Sequence, residues 1–254
     1  MKLQYCSDLH LEFRENSEFL KKHPLQVIGD ILLLAGDIVP FAVKDRHNDF
    51  FDFVARNFQY TYWIPGNHEY YHYDIALRSG VLHEAIRENV FLVNNVAVEH
   101  GPVRLICSTM WSEIRPLREL EIENSINDFH LIRHNGRRFT SHEFNQLHHD
   151  SMNFLRQEIA AKSDRSKVVM THHVPTYMNF PEQYKGSSLS EVFAVELFDL
   201  IEPSDVHSWL YGHHHCNTPD FKIGNTALVT NQLGNVGCGE HKLFRTDKVM
   251  EIPG

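Results

Sequence analysis

The chain has 254 residues, 42% of them hydrophobic and 22% charged, which gives a globular chain with a sizeable core and excludes a disordered polymer or a fibre. With Lys+Arg 24 against Asp+Glu 33 the formal charge is −9, so no broad positive surface is available for non-specific nucleic-acid binding. The longest apolar run, Ile31–Ala35, falls far short of the roughly 20 residues of a membrane span.

Short apolar runs closed by polar or glycine-containing residues predict strands over Lys2–Cys6 and Ile31–Ala35. A helical pattern covers Asp45–Phe58, a strand Tyr60–Ile64, a second helical pattern Asp74–Asn89, and strands Val90–Val93 and Val103–Cys107. Over Ser141–Ala161, Phe144, Leu147, Leu155 and Ile159 keep near-helical spacing, and Thr140 with Glu143 supplies a capping box. Strands follow at Lys167–Met170 and Val206–Tyr211, then a tighter series, Thr218–Ile223, Thr226–Thr230 and Lys248–Ile252, with an antiparallel look. Alternating strands and helices argue for an α/β fold with mixed sheets. No linker, repeat or low-complexity tract interrupts residues 1–254, which read as a single domain. Ser112–Arg138 and Val174–Ser190 fit no element and are expected to wall a pocket, because long loops in compact domains are more often functional than idle.

Cys6, Cys107, Cys216 and Cys238 are scattered without CxxC spacing and read as reduced thiols of a cytoplasmic protein. Met1–Asp8 lacks the apolar core of a secretory signal and is expected to stay in the working protein. Histidine, at 19 residues, is in marked excess.

The chemistry-bearing residues fall at the C-terminal ends of the predicted strands, where open α/β sheets place their sites. They are Asp8-Leu9-His10, Gly36-Asp37, Gly66-Asn67-His68-Glu69, His172-His173 and Gly212-His213-His214-His215. In extended chain, residues i and i+2 share a face, so Asp8 pairs with His10 and His213 with His215, while His214 points away as a surface or supporting residue. The three glycines permit sharp turns or close backbone approach. Carboxylates, an amide oxygen and imidazoles without an obligatory thiolate suit Mn, Fe, Zn or Co.

These ordered blocks, DxH, GD, GNHE, H and GHxH, resemble the signature of the calcineurin-like metallophosphoesterases over Asp8–His215. The resemblance implies a four-layer sandwich of two mixed sheets flanked by helices. It implies two divalent ions, with manganese favoured: Asp8, His10 and His215 on the first, Asn67, His172 and His213 on the second, and Asp37 bridging both. His68 matches the family's non-ligand histidine, a general acid or a donor to the phosphoryl oxygen, and with Asn67 contacts substrate. The implied activity is phosphoester hydrolysis by metal-activated hydroxide on a small phosphorylated substrate. The alternatives are a phosphodiesterase of cyclic nucleotides or nucleic acid using the same metals, and a non-catalytic metal-binding interaction module. The acidic charge disfavours long nucleic acid, and no membrane partner is expected. Family members with a tyrosinate-bound iron carry Tyr where this chain has Pro40, so that site type is not expected. Arg133, Arg137, Arg138 and His134 are candidates for attracting phosphate, as Tyr177, Phe180 and Tyr184 are for lining a leaving-group pocket. Asn127-Asp128, in the other unassigned segment, are candidates to approach the metals, on position alone.

Overall fold

The computed structural model describes Met1–Pro253. The chain runs through β1 (Lys2–Cys6), α1 (Arg14–Lys22), β2 (Ile31–Ala35), α2 (Asn48–Asn57), β3 (Tyr60–Ile64), β4 (Leu82–Arg87) and β5 (Val90–Asn94). Then come β6 (Val96–His100), β7 (Val103–Cys107), α3 (Glu119–Ser125), α4 (Asp128–Leu131), β8 (Arg133–His134) and β9 (Arg137–Arg138). The remainder is α5 (Ser141–Ala160), β10 (Ser166–Met170), α6 (Phe198–Ile201), β11 (Val206–Tyr211), β12 (Phe221–Ile223), β13 (Thr226–Thr230) and β14 (Val249–Glu251).

The strands form two six-stranded sheets, ordered β14-β1-β2-β3-β5-β4 and β12-β13-β11-β10-β7-β6. In each, parallel strands fill the centre and an antiparallel strand closes either edge. Side-chain alternation sorts the apolar residues into three layers of core. Ile31, Leu33 and Ala35 of β2 meet Leu105, Cys107, Val168 and Met170 of the opposite sheet. Leu32 and Leu34 turn the other way, onto Phe51 and Val54 of α2. Beyond the second sheet, Ile106, Val169 and Trp209 pack against Met152, Leu155 and Ile159 of α5. Every residue of β2 is buried, as a parallel strand covered on both faces requires. The result is a four-layer sandwich of two mixed sheets flanked by helices, and α5 begins at the expected capping box of Thr140 and Glu143.

The helix expected over Asp74–Asn89 is absent. A short 3-10 turn at Ile75–Leu77 is followed by Gly80 at φ +73°, whose carbonyl accepts from Asn94 Nδ2 at 2.6 Å. Leu82–Arg87 then pairs with β5 as an edge hairpin, so cross-strand pairing overrides helix propensity. α1 and β6 lie where no element was expected. The C-terminal strands are only partly antiparallel to one another: β13 pairs parallel with β11, and β14 crosses to the first sheet beside β1. Among the described residues, no helix is long and apolar enough to cross a membrane.

The C-terminal ends of the parallel strands in both sheets converge on one edge. Backbone hydrogen bonds join their loops there, from Asp8 N–H to the Gly36 carbonyl (2.9 Å) and from Gly212 N–H to the His172 carbonyl (3.0 Å).

Candidate metal centre

The loops at this edge are not extended. Asp8, His10, Asp37, His213 and His215 have φ of 55°, 44°, 54°, 80° and 51°, a left-handed region that costs an L-residue about 1–2 kcal/mol. The expectation that residues i and i+2 share a face of extended chain is therefore replaced by tight turns. They bring Asp8 and His10 together, while His213 and His215 go to opposite ends of the site.

Hydrogen bonds over-determine these turns. The Asp8 carboxylate accepts from His213 N–H at 3.0 Å, and His10 N–H donates to the Asp37 carbonyl at 3.0 Å. Glu69, fully buried, accepts from the N–H groups of Asp37 (2.9 Å), Ile38 (2.7 Å) and Gly66 (2.6 Å) and from Trp63 Nε1 (3.0 Å). It thus ties the loop after β2 to the loop after β3. Gly66 allows this approach, since a Cβ there would lie 2.6 Å from His172 Nε2 and would collide with Asp37 Oδ1.

The structure brings together all seven residues expected as ligands. Asp8, His10, Asp37 and His215 each present an atom within 4.8 Å of the others, as do Asp37, His172 and His213, with Asp37 common to both groups. Each imidazole donates its far proton to a fixed oxygen: His10 Nδ1 to Glu12 (3.2 Å) and His215 Nδ1 to Glu240 (2.8 Å). Likewise His172 Nδ1 donates to the Ala35 carbonyl (2.9 Å) and His213 Nε2 to that of Val192 (3.3 Å). Asn67 spends its amide N–H on Asp128 Oδ1 at 2.8 Å.

What faces inward is therefore lone pairs. His10 Nε2 lies 2.9 Å from His215 Nε2, and His172 Nε2 lies 3.1 Å from His213 Nδ1 and 3.2 Å from Asn67 Oδ1. Asp37 Oδ2 is buried without a hydrogen-bond partner, 3.4 Å from His172 Nε2 and 3.7 Å from His10 Nε2. Burial and neighbouring imidazoles hold the pKa of His10 and His213 below the ordinary range. Against its own burial, the Asp37 charge raises His172 to about 10, which puts a proton on its Nε2 unless an ion takes that place. Electron pairs at these separations repel unless positive charge lies among them, and the carboxylate, imidazole and amide donors fit divalent ions.

His68 stands beside this group. Its backbone N–H donates to Asp37 Oδ1 at 2.9 Å, its Nδ1 lies 3.5 Å from Glu12 Oε1, and its ring lies against that of Tyr71, tilted by 31° with centroids 4.0 Å apart. Burial lowers its pKa, but Asp37, Glu12 and Asp128 outweigh this and raise it to about 9. His68, Asn67 and Asp37 line a cavity of about 270 Å³ walled by Ser125–Asp128 and by Tyr184, Val192 and Phe193. Both unassigned segments thus contribute to the wall. Arg133, Arg137, Arg138 and His134 do not line it and form the β8–β9 hairpin. Tyr184 lines it and Tyr177 and Phe180 do not. His214 is buried rather than on the surface, its Nδ1 accepting from Gln232 Nε2 (3.0 Å) and Cys216 N–H (3.2 Å).

Glu12, Glu69, Asp128 and Glu240 orient the site, and sequence reading gave none of them that role. Glu12 carried a local signal, sitting two residues after His10. Glu240 reaches His215 from 25 residues away in sequence with no pattern to announce it, while Asp128, expected near the metals from its position alone, reaches Asn67 from 61 residues away.

Residues 1–217 match the profile of the calcineurin-like phosphoesterase family. An uncharacterised protein of Acanthamoeba polyphaga mimivirus is 31% identical in an alignment 260 residues long that covers 91% of this chain and 90% of that one. Among solved structures, phosphopantetheinyl hydrolase from Mycobacterium tuberculosis shares the fold, with a TM-score of 0.71 and 13% identity over 96% of this chain and 93% of that one.

Proposed function

Given that the chain belongs to the calcineurin-like phosphoesterase family and is a phosphoric ester hydrolase, we propose that it acts on small phosphorylated substrates through two divalent ions held by the residues just described. Asp8, His10 and His215 hold one ion, Asn67, His172 and His213 the other, and Asp37 both. The observation that carries this reading is the inward convergence of unshared electron pairs, with every far imidazole proton spent on an outer oxygen. Such ions, when bound, supply positive charge to the phosphoryl oxygens and lower the pKa of water from 15.7 to about 7. The absence of thiolate donors supports manganese, iron, zinc or cobalt, with manganese the ion to load first.

His68 delivers a proton to the leaving oxygen. Glu12 faces its Nδ1, which leaves the other ring nitrogen for substrate in the cavity that His68 lines. The three carboxylates around it favour its protonated form, and divalent ions bound nearby would act in the opposite direction. Asn67 positions substrate as well as metal. The free thiols of Cys6 and Cys107, both buried, support a reducing cytoplasmic setting.

The test is a panel of phosphomonoesters, phosphodiesters and pyrophosphate with manganese-loaded protein, run beside His68→Ala. The variant is expected to keep its metals and to lose roughly 10²–10⁴-fold in turnover on alkyl esters, whose alkoxide needs a proton. It is expected to lose little on nitrophenyl esters. Equal losses on both would remove the general-acid role, and no turnover across the panel would remove the reading altogether.

A further inference from the structure

The cavity beside the metal centre has a composition that selects among phosphoesters. One wall is Ile126, Asn127 and Asp128, the other Tyr184, Val192 and Phe193. Tyr184 and Phe193 lie with their rings 8° from parallel and their centroids 6.4 Å apart, and both line the cavity. Among the described residues, no lysine or arginine lines the cavity.

Of the cations close to these walls in sequence, Arg133 and Arg137 lie in the β8–β9 hairpin outside the lining, and three others are engaged elsewhere. Arg115 is held by Glu191 and Lys185 by Glu182, while Arg138 donates to the carbonyls of Phe129 and Glu123. Asp128 adds a carboxyl group to the wall. It is buried, its Oδ1 accepting from Asn67 Nδ2 and the Tyr71 hydroxyl at 2.8 Å each, and its Oδ2 has no partner. A phosphoryl group at the metals is met by cations and by His68. A second anionic group carried by the rest of the substrate would meet walls that hold no lysine or arginine.

We propose that the cavity is a leaving-group subsite for esters carrying a single phosphate on an uncharged, partly apolar alcohol, and that it rejects substrates with a second phosphate. This rests on the phosphoesterase reading above and names its substrate class. Tyr184 and Phe193 supply contact area for the alcohol, and a lining without lysine or arginine leaves a second phosphate unpaired.

Three esters test it on manganese-loaded protein: phenethyl phosphate, butyl phosphate and butane-1,4-diol bisphosphate. Phenethyl phosphate is expected to exceed the bisphosphate in kcat/KM by about tenfold or more. Tyr184→Ala is expected to raise KM for phenethyl phosphate by about two- to tenfold, and for the smaller butyl phosphate by less. Asn127 is exposed and its side chain makes no hydrogen bond, so Asn127→Lys adds a charge to the wall without breaking a contact. It is expected to improve the bisphosphate by roughly threefold or more. Calorimetric binding of phenethylphosphonate and butane-1,4-bisphosphonate reads the subsite without turnover and is expected to show the same order. A bisphosphate that binds or reacts as well as the phenethyl compound overturns the proposal, as does an Asn127→Lys variant with unchanged preference. Discriminating phosphonate binding without hydrolysis of any ester would defeat the hydrolase reading and leave the subsite standing.

Discussion

Glu69→Gln is the substitution whose effect the structure defines most sharply. The two oxygens of Glu69 accept four N–H groups, two each: Ile38 N–H and Trp63 Nε1 on Oε1, Asp37 N–H and Gly66 N–H on Oε2. Burial and the neighbouring Asp37 charge raise its pKa, but every lone pair on both oxygens is used, which leaves no position for a proton. On that geometry Glu69 is the carboxylate. Glutamine has one carbonyl oxygen, so in either orientation its NH₂ group faces two of the four donors. Leaving two buried N–H groups unsatisfied at about 1–3 kcal/mol each gives a loss of about 2–6 kcal/mol. That is a large part of the 5–15 kcal/mol typical of a domain of this kind. Urea unfolding of metal-free wild type and variant, followed by tryptophan fluorescence, measures it, and Trp63 reports from beside the substitution. A loss below about 0.5 kcal/mol would mean that Glu69 carries a proton and that an amide serves equally well, refuting the carboxylate as the tie between the loops after β2 and β3.

Two further outcomes follow from named contacts. Glu240→Ala removes the acceptor that fixes the His215 ring, and since Glu240 is only half-buried the fold should survive. Manganese titration is expected to show one of two binding steps weakened by about 10–100-fold, and unchanged affinity would deny Glu240 that role. His148 is buried against the Trp111 carbonyl and its pKa is lowered, chiefly by burial. The unfolded chain therefore takes up a proton there more readily, so its stabilising contribution is complete above about pH 6.5 and declines as pH falls below that value. Metal-free wild type should lose more stability than His148→Gln between about pH 7.5 and 5, because the variant keeps a donor for Trp111 and cannot titrate. Parallel declines would contradict this.

The sheets were legible because strands covered on both faces must be apolar throughout. Ile31–Ala35 shows it throughout and Tyr62–Ile64 over three residues, and their ends marked where the site residues sit. Leu82–Arg87 was not legible, because its composition favours a helix and only its hairpin partner Val90–Asn94 makes it a strand. Within the site, the inward-facing residues follow strand ends and carry distinctive side chains, so the sequence displays them. Their orienting partners are ordinary acidic residues that become informative only when folding places Glu240 on His215 and Asp128 on Asn67. The left-handed turns at Asp8, His10 and His215 were equally hidden, since aspartate and histidine do not announce that conformation as glycine does.

Metal stoichiometry tests the central claim most directly. Elemental analysis of manganese-replete protein, freed of loosely held ion, is expected to give two equivalents per chain, because Asp37 belongs to both ligand groups. Asp37→Ala, analysed in the same way, is expected to retain no more than one. A single equivalent in the wild-type protein, or two in Asp37→Ala held as tightly as in the parent, would contradict a dinuclear centre bridged by Asp37.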